Sequence, residues 1–462
     1  MAIKQSRPSS AMALPENSGR LASSPASYQW DHTQDHSRLY GNAVRYATAA
    51  ALLVLGISLV VLPHNSIGTP LRVLFCLAMM ALPFGTRLSA LVLKVRPRPE
   101  PASQAGAEPP VLVIGGAGYI GSILVRKLLQ AGRRVRVLDS LVYGDGALRE
   151  VLDHPNLELI VGDCRNLKTV IRAVKGSEAI IHLAAIVGDP ACAQHSETAL
   201  ETNYAATRML IEVAKGNGIQ RFLFASSCSV YGASDELMYE TSAVSPISLY
   251  AQTKVDSEQA LLRACDETFR PTILRLSTVF GLSPRPRFDL VVNLLTAKAC
   301  QGHPITVFNG EQWRPFIHVS DVADGFIRVL DAPLSAVGGE IFNLGDARLN
   351  YTLTGVAEKI LTFFPDAKIE HAAVTDRRNY RVSFDKLRDR LDFQCSLDLD
   401  YGIEQIRHAF AEGEILDYNN YQYSNQKFLQ LAGSPSNQDE VDQSVMAAFA
   451  HTAPVGKTLV AA

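Results

Sequence analysis

Short apolar runs alternate with helical patterns through the middle of the chain, from residue 111 to about residue 280. The runs are rich in β-branched residues and leucine, which is typical of strands that are buried on both faces of a parallel sheet. Strands that alternate with helices in this way predict an α/β fold with a doubly wound parallel sheet over residues 111–280. Six runs carry the pattern: VLVIGG, VRVLD, LELIVGD, AIIHLAA, RFLFASS and TILRLS.

Beyond about residue 280 the pattern loosens into mixed segments. We expect residues 281–433 to form a smaller lobe that covers the carboxyl edge of the sheet and binds the substrate. Together the sheet and the lobe would make one catalytic unit. The tail, residues 434–462, is polar, and we expect it to be flexible.

The chain before residue 111 has a different character. Residues 1–42 are rich in Ser, Ala and Gln and show no hydrophobic period, which predicts disorder. Residues 94–110 are rich in proline and read as a linker. Between them, residues 43–93 hold two apolar stretches.

The first apolar stretch is uncharged over residues 46–63, close to the ~20 residues that span a bilayer. The second is interrupted by Arg72, Pro83 and Arg87, so it is the weaker candidate. Basic residues flank both outer ends and the connecting loop has none. This asymmetry predicts a transmembrane helical hairpin that keeps both ends, and the catalytic domain, in the cytoplasm. The alternative is a pair of buried helices packed on the globular domain.

Composition narrows the possible partners. The chain has 44 Lys and Arg against 46 Asp and Glu, so it lacks the basic excess that favours nucleic acid. Its seven cysteines are scattered and never form C-x-x-C, which indicates reduced cytoplasmic thiols rather than disulfides or a metal site. We expect no metal and no nucleic acid, and we expect a homodimer.

A glycine-rich loop follows the first strand in the segment VLVIGGAGYIG. Gly115, Gly118 and Gly121 allow a tight turn, the close approach of a pyrophosphate and close packing of the next helix on the strand. Tyr119 and Ile120 belong to the same loop. Glycine spacing alone is a weak signal, but its position between a strand and a helix predicts a dinucleotide site of the Rossmann type.

The second strand of the pattern ends in Asp139. A carboxylate at this position can accept hydrogen bonds from the adenosine ribose and repels a 2′-phosphate, so NAD is favoured over NADP. The alternative is an aspartate that only caps the following turn.

Tyr250 and Lys254 lie four residues apart on a segment of helical period, so both point to one face. An ammonium group beside a phenol stabilises the phenolate, which predicts a lowered pKa for Tyr250 and a role as general base. The same spacing is common on solvated helix faces. Here, however, it follows a dinucleotide loop and a strand that ends in the serine cluster Ser226, Ser227 and Ser229, some of which would serve only as turn or cap residues.

With these motifs the sequence resembles the extended short-chain dehydrogenases/reductases, and within them the NAD-dependent epimerase/dehydratase group that acts on nucleotide sugars. The resemblance covers about residues 111–400, and the hairpin lies outside it. The matching segments are VIGGAGYIG, VLDSL, GDCRN, IIHLAA, ETNYAAT, SSCSVYG, YAQTK and RPFIHVSDVA.

The resemblance implies roles by position. Ser227 would hydrogen-bond the reacting hydroxyl, Tyr250 would be the base, and Lys254 would lower the pKa of Tyr250 and bind the nicotinamide ribose.

Other implied roles concern the two ligands. Asp163 would contact adenine, Ala184, Ala185 and Asn203 would line the cofactor channel, and Arg314 would reach the diphosphate of the nucleotide sugar.

Departures from the family pattern bear on the reaction. Sugar 4,6-dehydratases carry Thr-Asp-Glu where this chain has Ser227, Cys228 and Ser229, so dehydration is disfavoured. Epimerases of the galactose pathway carry Asn where this chain has Thr278. We therefore expect a nucleotide-sugar epimerase, of the 4-epimerase type on a UDP- or dTDP-sugar. The alternatives are a one-way nucleotide-sugar ketoreductase or dehydrogenase, and a non-catalytic NAD-sensing protein.

Overall fold

The computed structural model describes residues 108–433 and 440–450. The predicted disordered segment 1–42 and hairpin 43–93 lie outside these residues, as does most of the linker 94–110. Among the helices that are described, none combines the length and the apolar character needed to cross a bilayer.

Strands follow one another through the described chain in this order: β1 Val111–Ile114, β2 Val135–Asp139, β3 Leu157–Val161, β4 Ala179–His182, β5 Arg221–Ser227, β6 Ala233–Met238, β7 Arg270–Leu276, β8 Thr278–Phe280, β9 Ile305–Phe308, β10 Trp313–His318, β11 Ile341–Leu344, β12 Asn350–Thr352, β13 Ile369–Ala372 and β14 Asn379–Val382. The α-helices are α1 Gly121–Gln130, α2 Leu167–Val174, α3 Asp189–Gln194, α4 Ser196–Leu200, α5 Ala206–Gly216, α6 Leu249–Ala264, α7 Val291–Cys300, α8 Val319–Asp331, α9 Leu334–Val337, α10 Leu353–Leu361, α11 Asp385–Leu391, α12 Leu399–Ala411, α13 Asn425–Ala432 and α14 Glu440–Ala450. A π-helical turn, Glu201–Ala205, leads into α5.

The main sheet of the described residues has seven strands in the order β3, β2, β1, β4, β5, β7, β11, and every pair is parallel. Strands β2 and β3 extend the sheet on one side of β1, and the chain then crosses over so that β4 pairs with the other side of β1. A crevice opens at such a switch point, at the carboxyl ends of the strands, and ligands of open α/β sheets bind there. The predicted doubly wound sheet is therefore confirmed.

Alternate residues of β1 face opposite layers of helices. Val111 and Val113 belong to a core cluster with residues of α1 and α8, whereas Leu112 and Ile114 belong to a second cluster with residues of α5. All four side chains have no exposed surface. Burial on both faces explains why the strand reads as a continuous apolar run rather than as an alternating pattern.

The seventh strand comes from the region predicted to be the lobe. β11, Ile341–Leu344, pairs with β7, so residue 280 does not divide the sheet from the rest of the chain. The run is only four residues long and lies within mixed sequence, which is why its pattern did not stand out. Other strands of the lobe form a sheet in the order β12, β10, β8 and the pairs β13 with β9 and β14 with β6, so β6 and β8, which precede residue 281, also pair with lobe strands.

Helix α14 lies within the tail for which the sequence predicts flexibility. Met446 is fully buried in the second core cluster, and Asp442 Oδ1 accepts a hydrogen bond from the backbone N–H of Leu167 at 3.0 Å. The helix packs because Asp442, Val445, Met446 and Phe449 recur at helical spacing on one face.

Candidate active site

The glycine loop passes very close to the rest of the sheet. Gly115 has a φ of +89°, and a Cβ there would lie 2.7 Å from the backbone nitrogen of Ala184 on the neighbouring loop. A Cβ on Gly121 would lie 2.2 Å from the carbonyl oxygen of Gly115. Neither position has room for a side chain, so the turn brings backbone N–H groups and the N-terminus of α1 to the crevice, which suits a phosphate.

Asp139 lies beside the glycine loop and is hydrogen-bonded to it. Its Oδ2 accepts the backbone N–H of Ala117 at 2.9 Å and its Oδ1 accepts the N–H of Leu141 at 2.8 Å. Burial raises the pKa of the Asp139 carboxyl, and these two backbone hydrogen bonds oppose that rise. The carboxylate is thereby held at the edge where a ribose would lie, and the loop and the carboxylate together fit a dinucleotide such as NAD.

A cavity of about 340 Å³ opens at the carboxyl ends of the strands. This volume lies in the range of small-molecule and cofactor sites. The structure brings the following predicted residues together on its wall: Gly115, Gly118, Tyr119, Ile120, Gly121, Asp139, Asp163, Ala184, Ala185, Ser227, Tyr250 and Lys254. Asp163 is not free there, because both of its carboxylate oxygens accept hydrogen bonds from Arg165.

Helix α6 presents Tyr250 and Lys254 to the cavity from its first two turns. Ser248 caps the helix, its Oγ accepting the N–H of Ala251 at 3.2 Å. Lys254 Nζ donates to the carbonyl oxygen of Ala225 at 2.8 Å and lies 5.8 Å from the ring centroid of Tyr250. Burial lowers the pKa of the Lys254 ammonium to about 8.

The pKa of Tyr250 is raised rather than lowered, which corrects the prediction from the sequence. Burial is the largest cause, and a hydrogen bond with Ser227 and the charge of Arg287 oppose it. The predicted effect of Lys254 is missing because its ammonium is directed to the Ala225 carbonyl and lies over the Phe224 ring, 4.7 Å from the centroid. The residues of the site therefore hold the phenol neutral at physiological pH.

Two predicted site residues, Asn203 and Arg314, are not among the residues that line this cavity. Asn203 is buried, and its side chain binds the backbone of Ile186, which does line the cavity, through an N–H to Oδ1 bond of 2.8 Å and an Nδ2 to carbonyl bond of 3.0 Å. Asn203 thus positions the loop after β4 rather than lining the channel. Arg314 is 5% exposed and its guanidinium donates to the carbonyl oxygens of Trp313 and Arg378. That use of its donors does not favour the contact with a substrate diphosphate that the resemblance implied.

Several polar residues on the cavity wall were not predicted. Arg285 and Arg287 reach it from the segment after β8, and Asp189 and Arg378 form an ion pair of 2.8 Å that joins α3 to the loop before β14. For Arg285 and Arg287, the only indication in the sequence was their position in SPRPRF, shortly after an apolar strand. The fold and this site define a dinucleotide-binding enzyme of the doubly wound class.

Comparison with known proteins agrees with this assignment to the dinucleotide-binding enzymes. The family model "NAD dependent epimerase/dehydratase family" matches residues 111–345, and the chain belongs to this family of enzymes. It is 34% identical to an uncharacterized UDP-glucose epimerase of Bacillus subtilis over 250 residues, 51% of this chain and 77% of the relative. It is 27% identical to a UDP-N-acetyl-alpha-D-glucosaminuronate decarboxylase of Bacillus cytotoxicus, over 66% of this chain and 98% of that one.

A solved structure gives the same result. The crystal structure of a dTDP-glucose 4,6-dehydratase from Streptomyces venezuelae with NAD bound is similar to the chain with a TM-score of 0.60 and 25% identity, over 66% of this chain and 98% of that one. The names of these three relatives describe different reactions of nucleotide sugars.

Proposed function

We propose that the protein is an NAD-dependent nucleotide-sugar epimerase, of the 4-epimerase type on a UDP- or dTDP-sugar. One observation carries the proposal: Ser227, Tyr250 and Lys254 lie on the same cavity as the glycine loop and Asp139. The similarity to a UDP-glucose epimerase supports it.

The residues after β5 argue against dehydration. Cys228 stands where the dehydratases carry an acid. It is 1% exposed, its Sγ donates to the carbonyl oxygen of Arg275 at 3.3 Å, and burial raises the pKa of the thiol. A buried neutral thiol directed to a backbone carbonyl cannot protonate a leaving hydroxyl in the cavity, so the chain lacks the acid that expels water.

In the proposed reaction Tyr250, neutral in the protein alone, acts as its phenolate, which the positive charge of bound NAD would favour by opposing the effect of burial, the phenol proton passing to solvent. The phenolate takes the proton of a sugar hydroxyl and later returns it, acting first as base and then as acid. Ser227 hydrogen-bonds to Tyr250 and orients the phenol oxygen towards the same hydroxyl. Lys254 keeps two N–H donors beyond the one given to Ala225, which suits a ribose hydroxyl. Bound NAD would supply the acceptor for the hydride that leaves the sugar carbon and would return it to the opposite face.

The test separates this reaction from the alternatives. Purified full-length protein would be incubated with a panel of UDP- and dTDP-sugars, with and without NADH, and the products resolved by chromatography and mass spectrometry. We expect two epimers to interconvert without net consumption of cofactor. Turnover that needs stoichiometric NADH would instead indicate a ketoreductase or dehydrogenase, and NAD binding without any conversion would indicate a sensing protein.

We further propose that residues 43–93 tether the enzyme to a membrane with the catalytic domain in the cytoplasm. The support is the uncharged apolar stretch and the basic flanks in the sequence. In fractionated cells, we expect the full-length chain with the membranes and a version that starts at residue 110 in the soluble fraction. Recovery of both forms in the soluble fraction without detergent would contradict the tether.

A further inference from the structure

Arg285 is a buried cation on the cavity wall. It is 7% exposed, and its guanidinium carbon lies 3.7 Å from the ring centroid of Tyr143, which follows β2. Its Nε and Nη2 find no hydrogen-bond partner among the described residues. Buried donors that are left unsatisfied cost stability, so their presence on a cavity wall points to an anionic ligand.

Arg287, two residues after Arg285, differs from it because its guanidinium is paired with a carboxylate. Its guanidinium forms two hydrogen bonds with Asp289, at 2.9 and 3.0 Å, and Asp289 also accepts the backbone N–H of Asn425 at 3.0 Å. The charge of Arg287 is therefore compensated within the protein. Burial lowers the pKa of Arg285 to about 10, so its guanidinium is still charged at neutral pH.

The segment that carries Arg285 is fastened to the glycine loop. Tyr119 Oη donates to the carbonyl oxygen of Gly281 at 2.6 Å, and Asn293 binds both the N–H and the carbonyl of Gly281, at 2.9 and 3.0 Å. Ser283 Oγ donates to the carbonyl oxygen of Arg285 at 3.0 Å and so fixes the turn between them. Arg285 consequently stays on the side of the cavity formed by the glycine loop and β2, where the N-terminus of α1 suits a phosphate.

We propose that Arg285 donates charge-assisted hydrogen bonds to the diphosphate of the bound dinucleotide, so that the lobe supplies the cation at this site. The loop after β2, residues 140–148, contains no Lys or Arg that could do so. Tyr143 orders the guanidinium by stacking, and the free Nε and Nη2 are the donors. This inference rests on the NAD-binding part of the proposed function and is independent of the reaction.

The test is a set of binding measurements without turnover. Nucleotide-free, full-length wild type and Arg285→Gln would be titrated calorimetrically with NAD, ADP-ribose, adenosine, NADP and UDP-glucose. We expect Arg285→Gln to bind NAD and ADP-ribose about 10- to 100-fold more weakly, with adenosine nearly unchanged, because only the first two carry the diphosphate. Arg285→Lys keeps the charge but loses the planar guanidinium with its paired donors. Its affinities for NAD and ADP-ribose should therefore lie between those of the wild type and of Arg285→Gln.

Stability separates this role from a structural one. Because Arg285→Gln removes a buried charge with two unsatisfied donors, its melting temperature without ligand should equal or exceed that of the wild type, while the rise caused by NAD should shrink. Arg263→Gln is the matched control, because it removes an arginine that is exposed on α6 and absent from the cavity wall; all its affinities should match the wild type.

Other outcomes would overturn the inference. Unchanged NAD affinity, or an equal loss for adenosine, would exclude the diphosphate contact. A loss confined to UDP-glucose would assign Arg285 to the sugar nucleotide, and one confined to NADP would assign it to a 2′-phosphate. Absence of epimerase activity with weakened NAD binding would refute the reaction alone, whereas a wild type that binds neither NAD nor ADP-ribose would refute both.

Discussion

Replacement of Tyr250 with phenylalanine should lower kcat by about 10²- to 10⁴-fold, the usual contribution of a positioned acid or base. The phenol oxygen is the group on the cavity wall that Ser227 engages, and the ring would still fill its place beside the first turn of α6. NAD affinity, measured by calorimetry, should change far less than turnover. This combination would show that the hydroxyl acts on the reacting sugar rather than in folding.

The control for Tyr250→Phe is Tyr239→Phe, the same change at a tyrosine that is 46% exposed and absent from the cavity wall. It should leave kcat and KM at wild-type values. Full turnover by Tyr250→Phe on the identified substrate would contradict the proposed mechanism, whatever the control shows.

Replacement of Glu258 with glutamine should lower the free energy of unfolding by roughly 3–5 kcal/mol, because it leaves Arg275 as a buried charge without a counter-ion. Both side chains are 4% exposed, and Arg275 Nη2 lies 2.7 Å from Glu258 Oε2. Burial alone would lower the pKa of Arg275, but the hydrogen bond and the charge of Glu258 outweigh it and raise the pKa. Urea denaturation followed by circular dichroism measures the loss.

The Glu258–Arg275 ion pair is also connected to strand β5, which ends in Ser227. Ser226 Oγ, beside Ser227 at the end of β5, donates to Glu258, and Arg275 Nη1 donates to Tyr231 Oη at 3.0 Å. The matched control is Glu404→Gln, which breaks the exposed pair with Arg407 and should leave the denaturation midpoint close to that of the wild type. Equal midpoints for Glu258→Gln and wild type would show that the buried pair adds nothing to stability.

Several parts of this protein depend only on residues that are neighbours in the chain, and the sequence predicts them directly. A strand, a glycine loop and a helix follow one another directly in VLVIGGAGYIG, and the close backbone approaches at Gly115 and Gly121 leave no alternative to glycine. Tyr250 and Lys254 share a helix face because they are four residues apart, and Asp139 ends the strand that pairs with β1. Local geometry decides all of these, so a single segment carries the information.

Other features depend on residues that lie far apart in the chain and meet only in the folded protein. β11 joins the large sheet by pairing with the edge of β7. Arg285 reaches the cavity because Gly281 is hydrogen-bonded to Tyr119, 162 residues earlier. The raised pKa of Tyr250 follows from burial beneath several elements, which no spacing between two residues reveals. Burial and unpaired charge are properties of the assembled chain, and for this reason the lobe's contribution to the site appears only in the fold.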